Sequence, residues 1–432
     1  MQMRPRRGRG RLTGIAVVAV LALAACTSSS NNNNTSGNSD KMHQVPLTAK
    51  QRIFFATAGL GSEGDATKTE IAAFEKMHPN ITVNILNLSP YSTVAQGQEE
   101  NYFLAGASTP DVLYTDVTWP SQYARAGWIT NLESLHPNTS EFFPAQMATG
   151  EYNGGVYAIP WYINAEGLYY RTDLVKTPPT SISALVDDAK SALAKDKSLK
   201  EGLAFEGDEY EGAVSAWLSM GAQIGTSQLS NIDTEANRAS LEFMYDAVHT
   251  SKITPSAVTT WHEDYVQHAW LYGQTPFALN WPYLFQLSET KAYPAVDGHT
   301  GWIPFPSATP QSCLGGDDLA INAKSTHKAA AWAFIQYLTS LTAQDNRAVA
   351  DGDPPSVEEA YDAKLYASAP YFKQERAVYN AVTLRPVIPV YEQLSDELLQ
   401  PMISSVLSGE ETPDAALAGT APTVALLIKT TK

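Results

Sequence analysis

The 432-residue chain carries 45 acidic against 29 basic side chains, a formal net charge of −16. That balance disfavours nucleic acid and anionic lipid surfaces as partners. Two cysteines in this length exclude a disulfide scaffold, and so long a chain exceeds what one core usually supports, so two lobes are expected.

In chain order, Arg4, Arg6, Arg7, Arg9 and Arg11 precede an uncharged apolar run from Ile15 to Ala25. A basic start followed by so short an apolar run is the pattern of a secretion signal, residues 1–25, and not of a spanning helix. The run ends in Leu23-Ala24-Ala25-Cys26, which resembles the lipobox of bacterial lipoproteins. That resemblance implies lipid on Cys26 and anchoring at the outer face of the membrane; the alternative is an ordinary signal with an incidental cysteine. Residues 26–47 include TSSSNNNNTSGNSD, which has nothing to bury, and are expected to be a flexible tether. With Cys26 lipidated, Cys313 has no partner, and it is expected to be a small buried apolar residue and not a nucleophile.

An apolar stretch, RIFFATAGL, then runs into Gly59-Leu60-Gly61-Ser62-Glu63-Gly64, the spacing of a dinucleotide-binding turn. The pair Thr67 and Glu70 has the form of a capping box opening a helix over 67–78, with Ile71, Phe74 and Met77 near one stripe. Pro79-Asn80 stops that helix, and Ile81, Val83 and Ile85 alternate as a half-buried strand. A nucleotide site would need an acid at the end of this second strand, but no carboxylate lies between Glu75 and Glu99. Binding of NAD is therefore rejected, and no cofactor is expected.

DVLYTDV (111–117) is expected to be another strand, with Pro120 suited to the first turn of the next helix. VYAIPWYINAEGLYYR (156–171) is expected to be a long extended run interrupted at Pro160. AAWAFIQYLTSL (330–341) places Ala331, Phe334, Ile335 and Leu338 on one helical face. Such alternation points to an α/β protein with helices covering its sheets.

Seven segments in order, AAFEKMHPNITVN, STPDVLYTDVTWPSQYARAGWITNL, GVYAIPWYINAEGLYYRTDLV, YEG, NWPY, CLGGDDLAIN and RPVIPVY, span nearly the whole chain after the signal. Together they resemble the carbohydrate-specific extracellular solute-binding proteins of ABC importers, and the trehalose/maltose-type binders most nearly. The resemblance implies a two-lobed periplasmic-binding-protein-like fold of type II, with a sugar held in the cleft between lobes. It implies one lobe of 48–163 plus 307–345 and a second of 164–306 plus 346–432, with crossings near Ile163-Asn164 and Pro304-Phe305. It also implies a monomer that passes its carbohydrate to the transmembrane permease subunits.

Sugar hydroxyls suit planar, forked partners, and the C–H faces of a sugar suit aromatic rings. Glu63 follows the first strand, where ligands of open α/β sheets sit; it can equally face solvent. Asp116 matches the family's sugar-binding acid and can also cap the next helix. Asn164 lies at the implied crossing, while Trp161 and Tyr162 beside it suit core or cleft. Tyr210 and Glu211 either reach the cleft or simply begin a helix. In NWPY, Pro282 prevents regular pairing, so Trp281 and Tyr283 are expected on a turn, Trp281 as a stacking ring or as core. Gly315 and Gly316 would let backbone N–H groups approach a hydroxyl. Asp317 stands where many trehalose/maltose-type relatives carry tryptophan, so the ligand can differ, for instance by an amino group. Arg385 matches an arginine that forks onto sugar hydroxyls; a salt bridge is the plain alternative.

Two enzyme readings compete. A glycoside hydrolase would use two of Glu63, Asp116 and Asp317, but the resemblance is to non-catalytic proteins. A metal site on HEDYVQH fails because His262 and His268 are six residues apart, not four. Within the binding class, a polyamine or a peptide is the alternative ligand.

Overall fold

The computed structural model describes residues 44–58 and 62–431, without the side chains of Ser62 and Glu63. The signal, Cys26, the tether before residue 44 and the Gly59–Gly61 turn lie outside the described residues. Ten strands occur among the described residues: β1 Gln51–Thr57, β2 Ile81–Asn87, β3 Val112–Asp116, β4 Glu151–Tyr152, β5 Gly155–Val156, β6 Ala158–Ala165, β7 Gly167–Arg171, β8 Phe277–Asn280, β9 Thr300–Ile303 and β10 Leu314–Ile321.

Five strands form one sheet in the order β2-β1-β3-β10-β6. β1 is parallel to β2 and β3, while β10 runs antiparallel to β3 and β6. Successive side chains of a strand point to opposite faces, and the sheet is buried on both. Phe55, Val112, Leu319 and Ile321 face one core, under Phe74 of the helix Ser62–Met77 and Phe334 of the helix Lys328–Leu338. Ala56, Leu113 and Ala320 face the other, under Phe103 of the helix Ser92–Leu104 and Tyr123 of the helix Pro120–Ala126.

The extended run expected at 156–171 continues through Pro160. The residue sits on the edge strand, where its missing N–H costs no ladder bond. Trp161 is the extra residue of a bulge between Asp317 and Asp318 of the neighbouring strand.

A second, antiparallel sheet has the order β8-β7-β9. Its core draws on Trp217 of the helix Glu211–Ser219 and Trp270 of the helix Glu263–Leu271. Ile403 of the helix Gln400–Ser408 and Leu417 of the helix Pro413–Thr430 complete it. Cys313 is fully buried in the same core, and burial pushes its thiol up from the ordinary range. No helix among the described residues is long and apolar enough to cross a membrane.

Two local expectations are corrected. The helix expected at 67–78 begins at Ser62, so Thr67 and Glu70 are not its cap. Both are buried, and both accept hydrogen bonds from Arg347, at 3.2 and 3.1 Å. The second correction concerns the segment after residue 345, expected in the second lobe. Arg347 joins the first-sheet helix Ser62–Met77, Val357 bridges to Phe142, and Tyr379 packs with Phe143 and Ile163. The segment also touches the second side, through Gln286 donating to Val349 O and Ala350 O, Tyr371 stacked on Phe285, and Val378 and Ile388 packed at its core, and Tyr391 is the first residue after it fully buried there. Three short passages therefore join the sheets: Glu166 between β6 and β7, residues 306–313, and residues 383–390. The last two are tied together, Leu314 N donating to Thr383 O and Thr383 N to Ser312 O, each at 2.8 Å.

Candidate functional site

Between the two sheets lies a cavity of about 520 Å³, within the size range of small-molecule sites. Its floor on the first sheet is built by strand register. Asp116, at the carboxyl end of β3, pairs directly with Asp317 of β10, and Asp317 in turn pairs with Tyr162 of β6. Asp116, Asn164, Tyr210, Trp281, Tyr283, Gly316, Asp317 and Arg385 all line this cavity. The sequence had suggested each of them. Glu63 lies in the first turn of its helix, and its side chain is outside the described residues.

Asp116 does two things at once. Its Oδ1 accepts from the Thr118 N–H at 2.9 Å and the Thr118 hydroxyl at 2.8 Å, an Asx-type cap ahead of the next helix. It also pairs with Arg385 at 3.2 Å. Arg385, 5% exposed, donates through Nη1 to Glu211 Oε1 at 2.9 Å. Its guanidinium thus forks onto one carboxylate from each sheet's side, the salt bridge given as the plain alternative; Nε has no partner. Burial would pull the Arg385 pKa down, but the two carboxylates outweigh it and hold the charge firmly in place. Tyr391 and Ser395 also donate to Glu211, at 2.6 and 2.5 Å, which makes that carboxyl the hub of the second side.

Tyr210 precedes the helix Glu211–Ser219, so the helix-start and cleft readings hold together. The next position, Gly212, has a steric reason. A Cβ there would lie 1.8 Å from Glu206 Oε2 and 2.2 Å from the Tyr210 hydroxyl. Trp281 follows β8, and Pro282 turns the chain into the short helix Tyr283–Ser288, so Trp281 is presented from a turn, as expected, and Tyr283 from the first residue of that helix and not from a turn. The Trp281 ring rests on Gly315, where a Cβ would come within 2.6 Å of it. Gly316 needs its glycine for the sheet: φ is 103°, and a Cβ would meet Tyr162 O at 2.3 Å.

Several residues escaped the sequence reading. Glu206 is 1% exposed and lines the cavity; the Trp281 indole N–H donates to it, while its Oε1 has no partner. Burial, then Glu263, Glu166 and Asp264, push its carboxyl well above the usual range. Glu263 is raised by burial too, with the Tyr283 hydroxyl donating to it. His262, examined in the sequence only as a metal ligand, lines the cavity with Nε2 2.7 Å from Asp208 and its ring 4.4 Å from Tyr210. The available signal was an acid inside the apolar run LAFEG; spacing alone could not show where it pointed. Among the described residues no group of three or more His, Cys, Asp or Glu is arranged to hold a metal ion.

Unpartnered polar atoms mark the cavity: Asn164 Oδ1, Tyr210 Oη, Glu206 Oε1, His262 Nδ1 and Arg385 Nε. A buried polar atom without a partner costs about 1–3 kcal/mol, so several around one hollow point to a ligand rich in hydrogen-bonding groups.

Comparison with known proteins agrees with this architecture. Residues 58–345 match the family described as bacterial extracellular solute-binding protein. A probable ABC transporter-binding protein of Deinococcus radiodurans is 28% identical over 402 residues, covering 88% of this chain and 93% of that protein. The maltose-bound MalE3 of T. maritima is 28% identical, with a TM-score of 0.80 over 87% of this chain and 99% of that one. The GacH receptor of Streptomyces glaucescens is 24% identical, with a TM-score of 0.78 over 88% and 99% of the two chains, and shares the fold.

Proposed function

The chain belongs to the family of bacterial extracellular solute-binding proteins, and from that premise we propose that it captures a sugar between its two sheets and delivers it to the permease of an ABC importer. The observation that carries this reading is the cavity lining. Aromatic rings at Tyr210, Trp281 and Tyr283 stand among forked polar groups at Asp116, Asn164, Asp317 and Arg385, several with unpartnered atoms. Rings receive the C–H faces of a sugar, and the planar groups each satisfy two hydroxyls. The likeness to a protein that binds maltose supports the same class of ligand.

The site comprises Glu63, Asp116, Asn164, Tyr210, Trp281, Tyr283, Gly316, Asp317 and Arg385. Contributions from both sheets give the mechanism. A sugar that touches both sides gains contacts only when they approach, so binding shifts the population toward a closed form through the three passages. The closed form then docks on the permease. The protein acts as a monomer, changes no bond in its ligand, and is held at the extracellular face by lipid on Cys26.

Titration calorimetry with mono-, di- and oligosaccharides tests the reading. At least one saccharide is expected to bind, and Trp281→Ala to weaken it by about 1–3 kcal/mol through lost apolar burial. A chain that binds no saccharide refutes the proposal; new reducing ends after incubation with oligosaccharides would refute the non-catalytic part. Cys26→Ser is expected to move the protein from the membrane fraction to the medium.

A further inference from the structure

The charge around the cavity is lopsided. Among the described residues six carboxyl groups line it, at Asp116, Glu206, Glu211, Glu263, Asp264 and Asp317, against one guanidinium and no lysine. Arg385 is already committed to Asp116 and Glu211. Of the remaining acids, Glu206, Glu263 and Asp264 gather at one corner. Glu206 is 1% exposed with Oε1 unpartnered, and Glu263 is half-buried at the start of the helix Glu263–Leu271. Burial raises both carboxyls, with repulsion from Glu263 adding to the rise at Glu206 and repulsion from Asp264 adding to the rise at Glu263. The hydrogen bonds that reach these carboxyls from the aromatic side come from the Trp281 indole and the Tyr283 hydroxyl, so those two rings stand beside the acids. Asp264 is partly used locally, accepting from Tyr265 N at 2.9 Å.

A neutral sugar leaves this corner with surplus acid. A protonated nitrogen suits every feature of it: carboxylates to pair with, π faces that attract a cation, and an unpartnered acceptor in Glu206 Oε1. Resting on the sugar reading above, we propose that the corner formed by Glu206, Glu263, Trp281 and Tyr283 takes a cationic amine, so that the captured ligand is an amino-substituted sugar. On binding, the ammonium favours the ionised carboxylates, and any proton held there, at Glu206 above all, leaves to solvent.

The test is calorimetry of the full chain with matched pairs that differ only in amino for hydroxyl groups: trehalose against 2-amino-2-deoxytrehalose, with one such exchange, and cellobiose against the β-1,4-linked glucosamine dimer, with two. The diacetylated dimer serves as the uncharged control. The amine is expected to bind at least ten-fold tighter than its hydroxyl twin. A series of buffers with different ionisation enthalpies is expected to show proton release for the amine and none for the neutral sugar. Glu206→Gln is expected to abolish both differences, with folding checked by circular dichroism; Glu263→Gln and the wild-type proton count stand in if that variant does not fold. Amines that bind no tighter than their neutral twins, or bind without proton release, overturn the proposal while leaving the sugar reading intact. Binding of spermidine but of no saccharide overturns both.

Discussion

Arg347 and Arg385 are the two deeply buried guanidinium groups on which the most distant parts of the chain converge, yet their surroundings differ in kind. Arg347, 3% exposed, spends its donors within the first-sheet side: Nε to Asp353 at 2.8 Å and Nη1 to Thr67 and Glu70, with Asp351 3.8 Å from Nη2. Its carbon centre lies 4.2 Å over the Trp161 ring. Arg385 joins Asp116 on one side to Glu211 on the other and keeps an unpartnered Nε beside the cavity. A cluster whose members all lie on one side can only hold that side together. A cluster split between two sides, with capacity left over, can respond to what enters between them.

That contrast can be broken most forcefully at Arg347. Removing one partner of a buried ion cluster leaves uncompensated charge, so Arg347→Ala is expected to cost about 3–5 kcal/mol of stability in denaturant unfolding. A near-neutral result would show that the cluster is not structural. The same variant is expected to keep its ligand affinity once measured below its unfolding transition.

The next effect is on pH dependence. Burial pushes Glu70 and Asp351 up to about 7, against only a partial pull from Arg347. A carboxyl raised this way holds its proton in the folded chain while the unfolded chain has lost it. Its stabilising contribution is therefore complete below the unfolded value of about 4 and is lost as pH rises through about 7. Thermal unfolding is expected at a higher temperature at pH 5 than at pH 7.5. Glu70→Gln should flatten the slope by up to about 1.4 kcal/mol per pH unit; an unchanged slope would show that Glu70 does not carry the proton.

Arg385→Lys keeps the charge and loses the fork, so affinity is expected to fall about ten-fold, or about 1.4 kcal/mol, with a smaller stability loss than at Arg347. Equal affinity would make Arg385 a plain salt bridge. The smallest effect is expected from Gly212→Ala. Displacement of Glu206 and Tyr210 should weaken binding, while unfolding shifts little; retained affinity would mean that both side chains move aside freely.

Much of the fold was legible because it depends on side-chain direction alone. Ile81 and Val83 face the core as their alternation requires, and so do Phe334 and Leu338 of the helix that covers the same sheet. The cleft residues Asp116, Asn164, Trp281 and Arg385 were found through their local motifs. What failed were readings of charge. Thr67 and Glu70 have the spacing of a cap, but their partner lies 277 to 280 residues away. Segment 346–382 packs on the first side through Arg347, Val357 and Tyr379 while touching the second through Val349, Tyr371 and Val378, and nothing in its composition names a side. Glu206 carried no motif, and Glu263 lay in HEDYVQH, a stretch read only for its histidines.

The sequence by itself determined the alternation of strands and helices, the acidic balance and the aromatic and acidic residues available for a site. Only the tertiary structure decided which acids lose their water, which find Arg347 or Arg385, and which remain unpartnered at the cavity. Periodicity is set by neighbours along the chain, whereas the cost of a charge is set by whatever distant segment removes its solvent.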